Sequence, residues 1–432
     1  MSAFFYLLTE DNYTAQLAAQ EPPWGRPLVG VPTEGQFFMT PWQPLAHVVV
    51  HSLANHASRT TNPLSATCCV VASPAERTAG TPCSGHTLEV YDRLVALGAA
   101  RCPSLPIVVV DGPDGDGTKD ALCNSLWTPR SCARGGSDIL VRASGNAPGL
   151  QSEVASRLQR GLCRRLAPTP YLAHARTAHA AAIPLTGAPA RPLRVAYAAA
   201  SWGHVDAEHH GFVAWRKALR NACKRRHAIN ETQCNWVWLS MSGQGAERAL
   251  QQYQHADFCL QPPGDTLPRP GIIDALSVGC VPVIFHPGQA TLWPRHWHAH
   301  TGPSPSAVLV DLTDGVPRPR RRDREHVTYA HRADEALTTL IEMPRARVDE
   351  LRRGVAVAAR ALVYADHGNG AGSGSTDAVD ILVESMRSLR ATPDAAEAAA
   401  YVRQLEERRR LLDAQQAFEE TRKRRRRGGP AK

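Results

Sequence analysis

The residues whose types and spacing could bind a phosphorylated ligand lie in one short loop and in the helix predicted to follow it. Gly264 lets backbone N–H groups approach a ligand closely, and the carboxylate of Asp265 follows directly. Arg269 carries a planar fork of donors that suits a phosphate group. Asp274 falls about one turn into a predicted helix over residues 272–278, where its carboxylate could accept a hydrogen bond from a ribose hydroxyl. The pattern therefore predicts a nucleotide-binding site.

Two predicted strands position this loop. The apolar run 257–260 is closed by Pro262, Pro263 and Gly264, which is typical of a buried strand that meets a loop. The apolar run 279–285 predicts a second strand after the helix. In an open parallel sheet, ligands bind at the carboxyl ends of the strands, where the N-terminus of a helix favours anions. The alternative is an ordinary strand–loop–helix–strand unit whose arginine and aspartate form a surface pair.

Strand-like and helix-like stretches alternate through both halves of the chain, which predicts α/β layers with parallel strands. The strand-like runs are 47–50, 69–71, 107–110, 193–197, 236–239 and 308–310. The helix-like stretches are 88–99, 152–166, 212–223 and 333–363. A Pro- and Gly-rich break at 184–189 predicts a linker. We therefore expect a first domain over residues 1–188, a second over residues 189–390 and a separate tail over residues 391–432.

The composition fits a two-domain enzyme. The chain has 432 residues, of which 43% are hydrophobic and 21% charged, and this excludes the disordered and fibrous classes. No run of about eighteen apolar residues occurs, so no membrane-spanning segment is predicted. The first residues, 1–8, lack both the basic region and the long apolar region of a signal peptide.

Cysteine usage favours an oxidising compartment, because eleven cysteines is a high number for a cytosolic enzyme of this size. The candidate disulfides are Cys223 with Cys234 and Cys123 with Cys132, each of which would close a short loop. Cys259 and Cys280 lie inside predicted strands, and we expect them to be buried thiols. Two glycosylation acceptor triplets, which begin at Asn12 and Asn230, are compatible with a secretory route.

Two clusters suggest a metal, but neither predicts one. Asp114 and Asp116 follow a strand-like run and could chelate a divalent ion, although Asp/Gly clusters after strands are more often plain turns. His296, His298 and His300 could bind zinc, but no cysteine or carboxylate lies at the usual spacing, and a cleft wall is the favoured interpretation. A divalent metal is possible but is not required.

The end of the chain is strongly basic. The stretch 397–424 favours a helix, and the run 422–427 contributes much of the net charge of +9. A solvated helix with a disordered basic end is the favoured interpretation, and the alternatives are a nuclear address or a patch that binds nucleic acid, an acidic polysaccharide or a membrane surface. Nucleic acid is not a predicted partner.

The segment 257–288, DFCLQPPGDTLPRPGIIDALSVGCVPVIFHPG, resembles the signature of the exostosin-like glycosyltransferases, family 47. Within that family it is most similar to the plant xyloglucan galactosyltransferase branch, whose pattern is roughly FCLQPxGDSxTRRxxFDAxLAGCIPVFFHPG. The shared residues are Phe258, Cys259, Leu260, Gln261, Pro262, Gly264, Asp265, Arg269, Asp274, Ala275, Gly279, Cys280, Pro282, Val283, Phe285, His286, Pro287 and Gly288. One departure matters: Pro270 stands where the family has a second arginine, which removes a cation from the diphosphate site.

Weaker similarities extend toward the N-terminus. Residues 58–71 are similar to the family's TxDPxxAxxFFVP element, and residues 183–193 are similar to its IPYP and RPYL segments. The family's GGRDH element is not found, and residues 111–117 occupy roughly that region. The acceptor side has therefore diverged.

The resemblance implies a GT-B fold, in which two Rossmann-like lobes face a cleft, with a charged, helical C-terminal tail. It implies an acceptor-side lobe before residue 189 and a nucleotide-sugar lobe after it. The expected reaction is inverting transfer of a sugar from a UDP-sugar, with galactose favoured, to a hydroxyl of a polysaccharide or glycoprotein glycan. Gly264, Asp265, Arg269 and Asp274 are the expected donor-binding residues, and Asp111 is the candidate general base.

Family resemblance also implies the lumenal side of the Golgi membrane, reached through an N-terminal anchor not visible in the sequence or through a partner. The alternative function is a catalytically inactive paralogue that keeps the fold and acts as a glycan-binding or scaffold protein. The proline at position 270 and the diverged first half motivate this alternative.

Overall fold

The structure is a computed structural model. It describes residues 4–9, 12–19, 43–73, 96–97, 100–102, 105, 107–111, 139–142, 165–170, 190–199, 210–238, 244–264, 267, 269–286, 289–290, 292–297, 305–310, 322–364 and 377–388. The predicted linker 184–189 and the predicted tail 391–432 lie outside these residues. The domain boundaries therefore stay predictions.

The first half of the chain builds a six-stranded parallel sheet of order β2-β1-β3-β4-β5-β6. Its strands are β1 Phe5–Leu7, β2 Arg59–Thr60, β3 Cys68–Ser73, β4 Ile107–Asp111, β5 Ile139–Arg142 and β6 Arg165–Pro168. The helices of this unit include α1 Asn12–Ala19 and α2 Gln43–Ala54, and a short 3-10 turn spans Pro63–Ser65. The predicted strands at 69–71 and 107–110 are confirmed.

Two predictions in this half are wrong. Residues 47–50, predicted as a strand, lie inside helix α2, where Val48, Val49 and Val50 are all fully buried. A short run of buried apolar residues has no period that separates strand from helix, so tertiary packing decides. The end of the predicted helix 152–166 is also wrong, because β6 begins at Arg165 and pairs with β5.

The second half builds a five-stranded parallel sheet of order β11-β10-β9-β7-β8. Its strands are β7 Leu193–Ala199, β8 Cys234–Trp238, β9 Ala256–Gln261, β10 Val281–Ile284 and β11 Val308–Leu309. Its helices are α3 His210–Ile229, α4 Gln244–His255, α5 Pro270–Ser277, α6 Pro294–Trp297, α7 Arg322–Glu342, α8 Arg345–Leu362 and α9 Ala378–Ser388. The prediction of α/β layers with parallel strands is confirmed.

Helices cover both faces of this second sheet. Every residue of β9 is buried, as is expected for a parallel strand covered on both sides. Ala196 and Cys259 pack in one apolar cluster with α4 and α5, whereas Val195 and Phe258 pack in another with α3 and α7. The alternation follows from the period of two along a strand, which points neighbouring side chains to opposite faces of the sheet.

The last described helix returns to the first sheet. In α9, Asp380 accepts a hydrogen bond from His56 at 3.0 Å, and Arg387 donates to the hydroxyl of Ser58 at 3.0 Å. Two residues after the end of α8, the Tyr364 hydroxyl donates to the carbonyl of Pro170 at 2.9 Å. The C-terminal helices therefore hold the two sheets together. Among the described residues, no helix combines the length and the apolar character needed to cross a membrane.

The cysteine predictions met a mixed outcome. The disulfide between Cys223 and Cys234 is confirmed, and a further one links Cys69 to Cys102. Cys259 and Cys280 are not thiols as predicted, because they form a disulfide with Cα atoms 5.9 Å apart. The strand register explains the pairing. Cys259 lies opposite Pro282 on β10, and Cys280 directly precedes that strand, so Cys280 can reach Cys259 diagonally. The other predicted pair, at 123 and 132, lies outside the described residues.

Candidate functional site

The loop that bears the predicted ligand residues lies at the point where the second sheet changes direction. Strand β7 has β8 on one side and β9 on the other, because the chain leaves β7 for β8 and then returns through α4 to β9. Ligands of open α/β sheets bind outside the carboxyl ends of the two strands at such a point. The loop 262–269 follows the carboxyl end of β9 and leads into α5. Topology therefore places the predicted loop where a ligand is expected.

Arg269 is the N-cap residue of α5 and closes this loop. Its guanidinium Nη1 donates to the carbonyl of Pro262 at 2.6 Å, so the side chain lies across the loop mouth. No side chain caps the helix, and Pro270 occupies its first turn, where proline costs no intrahelical hydrogen bond. The N–H of Ile272 bonds the Arg269 carbonyl at 3.1 Å. The start of α5 is thus an uncapped helix N-terminus beside a guanidinium, which favours an anion.

Gly271 sets how closely α5 approaches the end of β9. A Cβ atom at this position would lie 2.5 Å from Oε1 of Gln261, too close for any larger residue without displacement. The Gln261 side chain itself is held by the hydroxyl of Tyr253 at 2.9 Å from Nε2. At its other end, α5 stops at Gly279, which has a φ of 73° in the left-handed region. Gly279 therefore ends α5 and turns the chain into β10.

The charge of Arg269 acts on the pKa values of two buried tyrosines, Tyr253 and Tyr197. Burial raises the pKa of the Tyr253 hydroxyl to about 12, and the positive charge of Arg269 acts against this rise. Burial also raises the pKa of Tyr197 well above its ordinary value, again opposed first by Arg269. The Tyr197 hydroxyl donates to the carbonyl of Arg216 at 2.9 Å. Both phenols are therefore neutral at physiological pH, and the positive charge of Arg269 acts on each.

Two further arginines near this edge were not singled out from the sequence. Like Arg269, both Arg216 and Arg220 of α3 oppose the rise in the pKa of Tyr197. Arg216 is 7% exposed, although it is a charged residue in a helix. They lie four positions apart, so they share one face of the helix with Trp215 and Leu219, which pack in the core. Two arginines four positions apart on an apolar helix face are the sequence pattern from which this pair could have been predicted.

Asp274 occupies the middle of α5 and is 8% exposed. Its backbone carbonyl accepts hydrogen bonds from the Ser277 hydroxyl at 2.9 Å and from the Val278 N–H at 3.3 Å. Its negative charge contributes to the raised pKa of Tyr253, so the carboxylate lies near that ring. The expected contact to a ribose hydroxyl stays a prediction.

Gln289 holds the loop in place and was missed in the sequence. Its side chain is fully buried, and its Nε2 donates to the carbonyls of Gln261 at 3.0 Å and Leu267 at 3.2 Å. Its Oε1 accepts from the N–H of Phe285 at 2.9 Å. One amide thus ties together the end of β9, the loop and the end of β10. No local pattern marks a glutamine that bonds a carbonyl so far back in the chain.

The remaining predicted site residues are only partly placed. Gly264 is half-buried in the loop, and Asp265 lies outside the described residues. Asp111 ends β4 opposite Ser73, at the carboxyl edge of the first sheet, as predicted, but its side chain lies outside the description. Among the described residues, no hydrogen bond or ion pair joins this strand end to the loop of the second sheet. The roles of these residues therefore stay predictions.

The described residues of the histidine-rich stretch after β10 pack in the core. His296 is fully buried and contacts the Ala378 carbonyl at 3.1 Å, and Trp297 donates to the Ser306 hydroxyl at 2.7 Å. Within the described ranges, no group of three or more His, Cys, Asp or Glu side chains could hold a metal. His298, His300, Asp114 and Asp116 lie outside those ranges.

The opposite edge of the second sheet is held by arginines with structural roles. Arg191 donates to the carbonyls of Tyr253 near the end of α4 at 2.7 Å, of Ala256 at the start of β9 at 2.8 Å and of Val278 at the end of α5 at 2.6 Å. Burial lowers its pKa to about 10. Nearby, the buried carboxylate of Asp257 pairs with Arg194 at 3.0 Å and with Arg345 at 2.9 Å. Asp257, the first residue of the signature, therefore has a structural role and lies away from the ligand edge.

Comparison with known families gives a match that spans this site. Residues 166–297 match the Exostosin GT47 domain. The match runs from β6 through the loop and α5 to α6, so it includes Arg269, Asp274 and Gln289. The family predicted from the sequence signature is confirmed for this part of the chain.

Curated relatives come from Arabidopsis thaliana. The chain is 27% identical over 179 residues to the probable xyloglucan galactosyltransferase GT19. The aligned region covers 40% of this chain and 37% of that protein. It is 31% identical over 117 residues to the xyloglucan galactosyltransferase MUR3. This second alignment covers 27% of this chain and 16% of that protein. The chain thus matches well under half of the length of these relatives.

Among solved structures, the chain is similar to the crystal structure of the GtfA/B complex. The TM-score is 0.34 at 11% sequence identity, with 70% of this chain and 61% of that chain covered. A TM-score at this level does not establish a common fold.

Proposed function

We propose that the chain is an inverting glycosyltransferase, because residues 166–297 match the Exostosin GT47 domain. The proposed donor is a UDP-sugar, with galactose favoured, and the proposed acceptor is a hydroxyl of a polysaccharide or glycoprotein glycan. The names of the relatives support this substrate class. The observation that carries the proposal is Arg269 at the uncapped start of α5, at the switch point between β7 and β9.

The donor diphosphate would bind at this helix start. Its negative charge would meet Arg269, the N–H groups around Gly264 and the positive end of the α5 dipole. Pro270 contributes neither a cation nor an N–H where the family signature has a second arginine. We infer that Arg216 and Arg220 of α3 supply the missing positive charge, because both act on the same buried tyrosine as Arg269. The ribose would bind Asp274, near the neutral hydroxyl of Tyr253.

The reaction needs a base as well as a site for the leaving group. A base removes the proton from the acceptor hydroxyl, its oxygen attacks C1 of the donor sugar, and the bond from C1 to the diphosphate breaks as UDP leaves. We propose that the two sheets form the two facing lobes of a GT-B fold, and that Asp111 at the end of β4 acts as the base across the cleft. A divalent metal is not required by this proposal.

The proposed location is the lumenal side of the Golgi. Three described disulfides, Cys69–Cys102, Cys223–Cys234 and Cys259–Cys280, support an oxidising compartment. The family resemblance supports the Golgi within that class.

One observation favours a second candidate, a catalytically inactive exostosin-like protein that binds glycans or acts as a scaffold. The proline at the start of α5 lacks the charge that the signature places there. If Arg216 and Arg220 do not replace this charge, the domain could keep its fold without binding a donor.

Thermal unfolding with a panel of nucleotides separates these candidates. A ligand that binds only the folded state raises the melting temperature, so UDP and UDP-sugars are compared with GDP and ADP. We expect a rise with UDP that disappears in Arg269→Ala and persists in Arg347→Ala, which removes an exposed arginine of α8. Loss of sugar transfer in Arg269→Ala by about a hundredfold is expected from removal of a leaving-group contact. No rise with any nucleotide supports the inactive candidate.

A further inference from the structure

The turn between α3 and β8 carries the triplet Asn230-Glu231-Thr232, which takes no part in the nucleotide site. All three residues are exposed. An asparagine followed two positions later by threonine, with no proline between, is an acceptor sequence for N-linked glycans. Such triplets arise often by chance, so the local structure decides whether this one is usable.

The geometry of the turn leaves the asparagine amide nitrogen available. Oδ1 of Asn230 accepts from the N–H of Thr232 at 2.9 Å and from its hydroxyl at 2.8 Å. The backbone of Asn230 is used as well, since its N–H bonds the Arg226 carbonyl at 3.0 Å and its carbonyl accepts from Gln233 at 3.0 Å. Nδ2 of Asn230 makes no hydrogen bond to any residue in the described ranges. The oxygen is therefore committed to the turn, and the nitrogen is not.

The turn is braced and lies away from the ligand edge. The disulfide Cys223–Cys234 closes the segment that contains the triplet. The carbonyl of Thr232 accepts from the N–H of Arg194 at 2.8 Å, near the start of β7. The triplet therefore lies at the amino edge of the sheet, whereas Arg269 lies at the carboxyl edge. A bulky glycan here would not obstruct the nucleotide site.

The other acceptor triplet of the chain, Asn12-Tyr13-Thr14, provides a contrast. Thr14 is fully buried, and its hydroxyl accepts from the N–H of Ala72 at 3.0 Å, which joins α1 to β3. This threonine is therefore part of the folded core of the first sheet. The two triplets share a sequence pattern, but their threonines differ in exposure.

We propose that Asn230 carries an N-linked glycan. In the transfer, Nδ2 of Asn230 forms a bond to C1 of the first sugar of an oligosaccharide carried on a polyisoprenoid diphosphate. The bond from C1 to the diphosphate breaks, the diphosphate leaves with the electron pair, and the amide loses one proton. The proposal shares the lumenal location with the function proposed above, but it does not depend on sugar transfer by this chain.

The test is the mass of the full chain expressed behind a cleavable secretory leader in a eukaryotic host, before and after treatment with peptide N-glycosidase. Removal of the glycan converts the modified asparagine to aspartate, and in water labelled with oxygen-18 peptide mapping identifies the position. We expect a mass loss on treatment and the label at position 230. No mass loss, or a label only at position 12, overturns the proposal.

Matched variants separate glycan loss from misfolding. Asn230→Asp keeps an acceptor oxygen for Thr232 but has no amide nitrogen, so it should fold and lose the mass shift. Thr232→Ser keeps the hydroxyl and should retain the shift, whereas Thr232→Val should lose it. Asn12→Gln should leave the shift unchanged. A mass shift that persists in Asn230→Asp overturns the proposal, and an unchanged response to UDP in that variant shows that the nucleotide site is independent of it.

Discussion

The side-chain Nε2 of Gln289 donates to the backbone carbonyl of Gln261 at 3.0 Å and so joins the last residue of β9 to the turn after β10. The same amide contacts Leu267 in the loop and Phe285 at the end of β10. Because Gln289 is fully buried, no water can replace these bonds. The loop that bears Arg269 is therefore held by a residue that lies outside it, and its geometry depends on that residue.

We predict that Gln289→Leu destabilises the fold and weakens the response to UDP. The change keeps the approximate size of the side chain but leaves one N–H and two carbonyls without this partner. An unsatisfied buried group costs about 1–3 kcal/mol, so the free energy of unfolding should fall by about 3 kcal/mol. The measurement is urea unfolding together with the rise in melting temperature that UDP causes.

Gln16→Leu serves as the control, because Gln16 is exposed on α1. It should change the free energy of unfolding by no more than about 0.5 kcal/mol and leave the melting-temperature rise caused by UDP unchanged. If Gln289→Leu unfolds at the same urea concentration as the unmodified protein, the proposed role of this amide in holding the loop is wrong.

We predict that Arg216→Gln reduces the melting-temperature rise caused by UDP. Its positive charge lies close to the buried hydroxyl of Tyr197, on which Arg269 also acts, so it should add to the field at the helix start. The proposed replacement of the second arginine leads to a rescue experiment. Adding Pro270→Arg to the Arg216→Gln variant should restore the response to UDP. A response that Arg216→Gln leaves unchanged would show that α3 does not contribute to the site.

We predict that the disulfide between Cys259 and Cys280 stabilises the base of the donor loop. Its partners are 21 residues apart, and loop closure on this scale stabilises a fold by about 3 kcal/mol. The double variant Cys259→Ala/Cys280→Ala should therefore unfold at lower denaturant concentration. Alkylation of the denatured but unreduced protein, followed by mass measurement, should find neither cysteine labelled. Labelling at either position without reduction would contradict the pairing.

The elements of the site could be predicted from local sequence because their signals are local. The apolar run of β9, the Pro- and Gly-rich closure and the following helix each depend on neighbouring residues, and helix α5 begins within two residues of its predicted start. Residues 47–50 show where local signals fail. Their valines are buried in the helix α2, and only the first sheet that they pack against distinguishes this from a strand.

The contacts that complete the site could not be predicted, because they join distant parts of the chain. The carbonyl of Gln261 and the amide of Gln289 meet only once β9 and β10 are paired. The charge of Arg216 reaches Tyr197 only after α3 packs on the sheet. The disulfide of Cys259 with Cys280 likewise follows from strand register, which one sequence does not display.

We predict that the stability of the protein falls above about pH 10, and that Tyr253 causes part of the fall. Burial raises the pKa of its hydroxyl from 10.0 to about 12. Below pH 10 the hydroxyl is protonated in both the folded and unfolded states, so its contribution to stability is complete. Between pH 10 and about 12 the unfolded state releases the proton while the folded state keeps it, so stability decreases; a shift of this size corresponds to roughly 3 kcal/mol.

Tyr253→Phe tests this sign, with urea unfolding measured from neutral pH upward. The variant loses the bond to Gln261 and should be less stable at neutral pH. Its free energy of unfolding should nevertheless decline less steeply above pH 10 than that of the unmodified protein. Arg191, whose pKa burial lowers to about 10, acts in the opposite direction in both proteins, so its effect cancels in the difference. Parallel curves for the two proteins would show that the Tyr253 hydroxyl ionises as readily in the fold as in the unfolded chain.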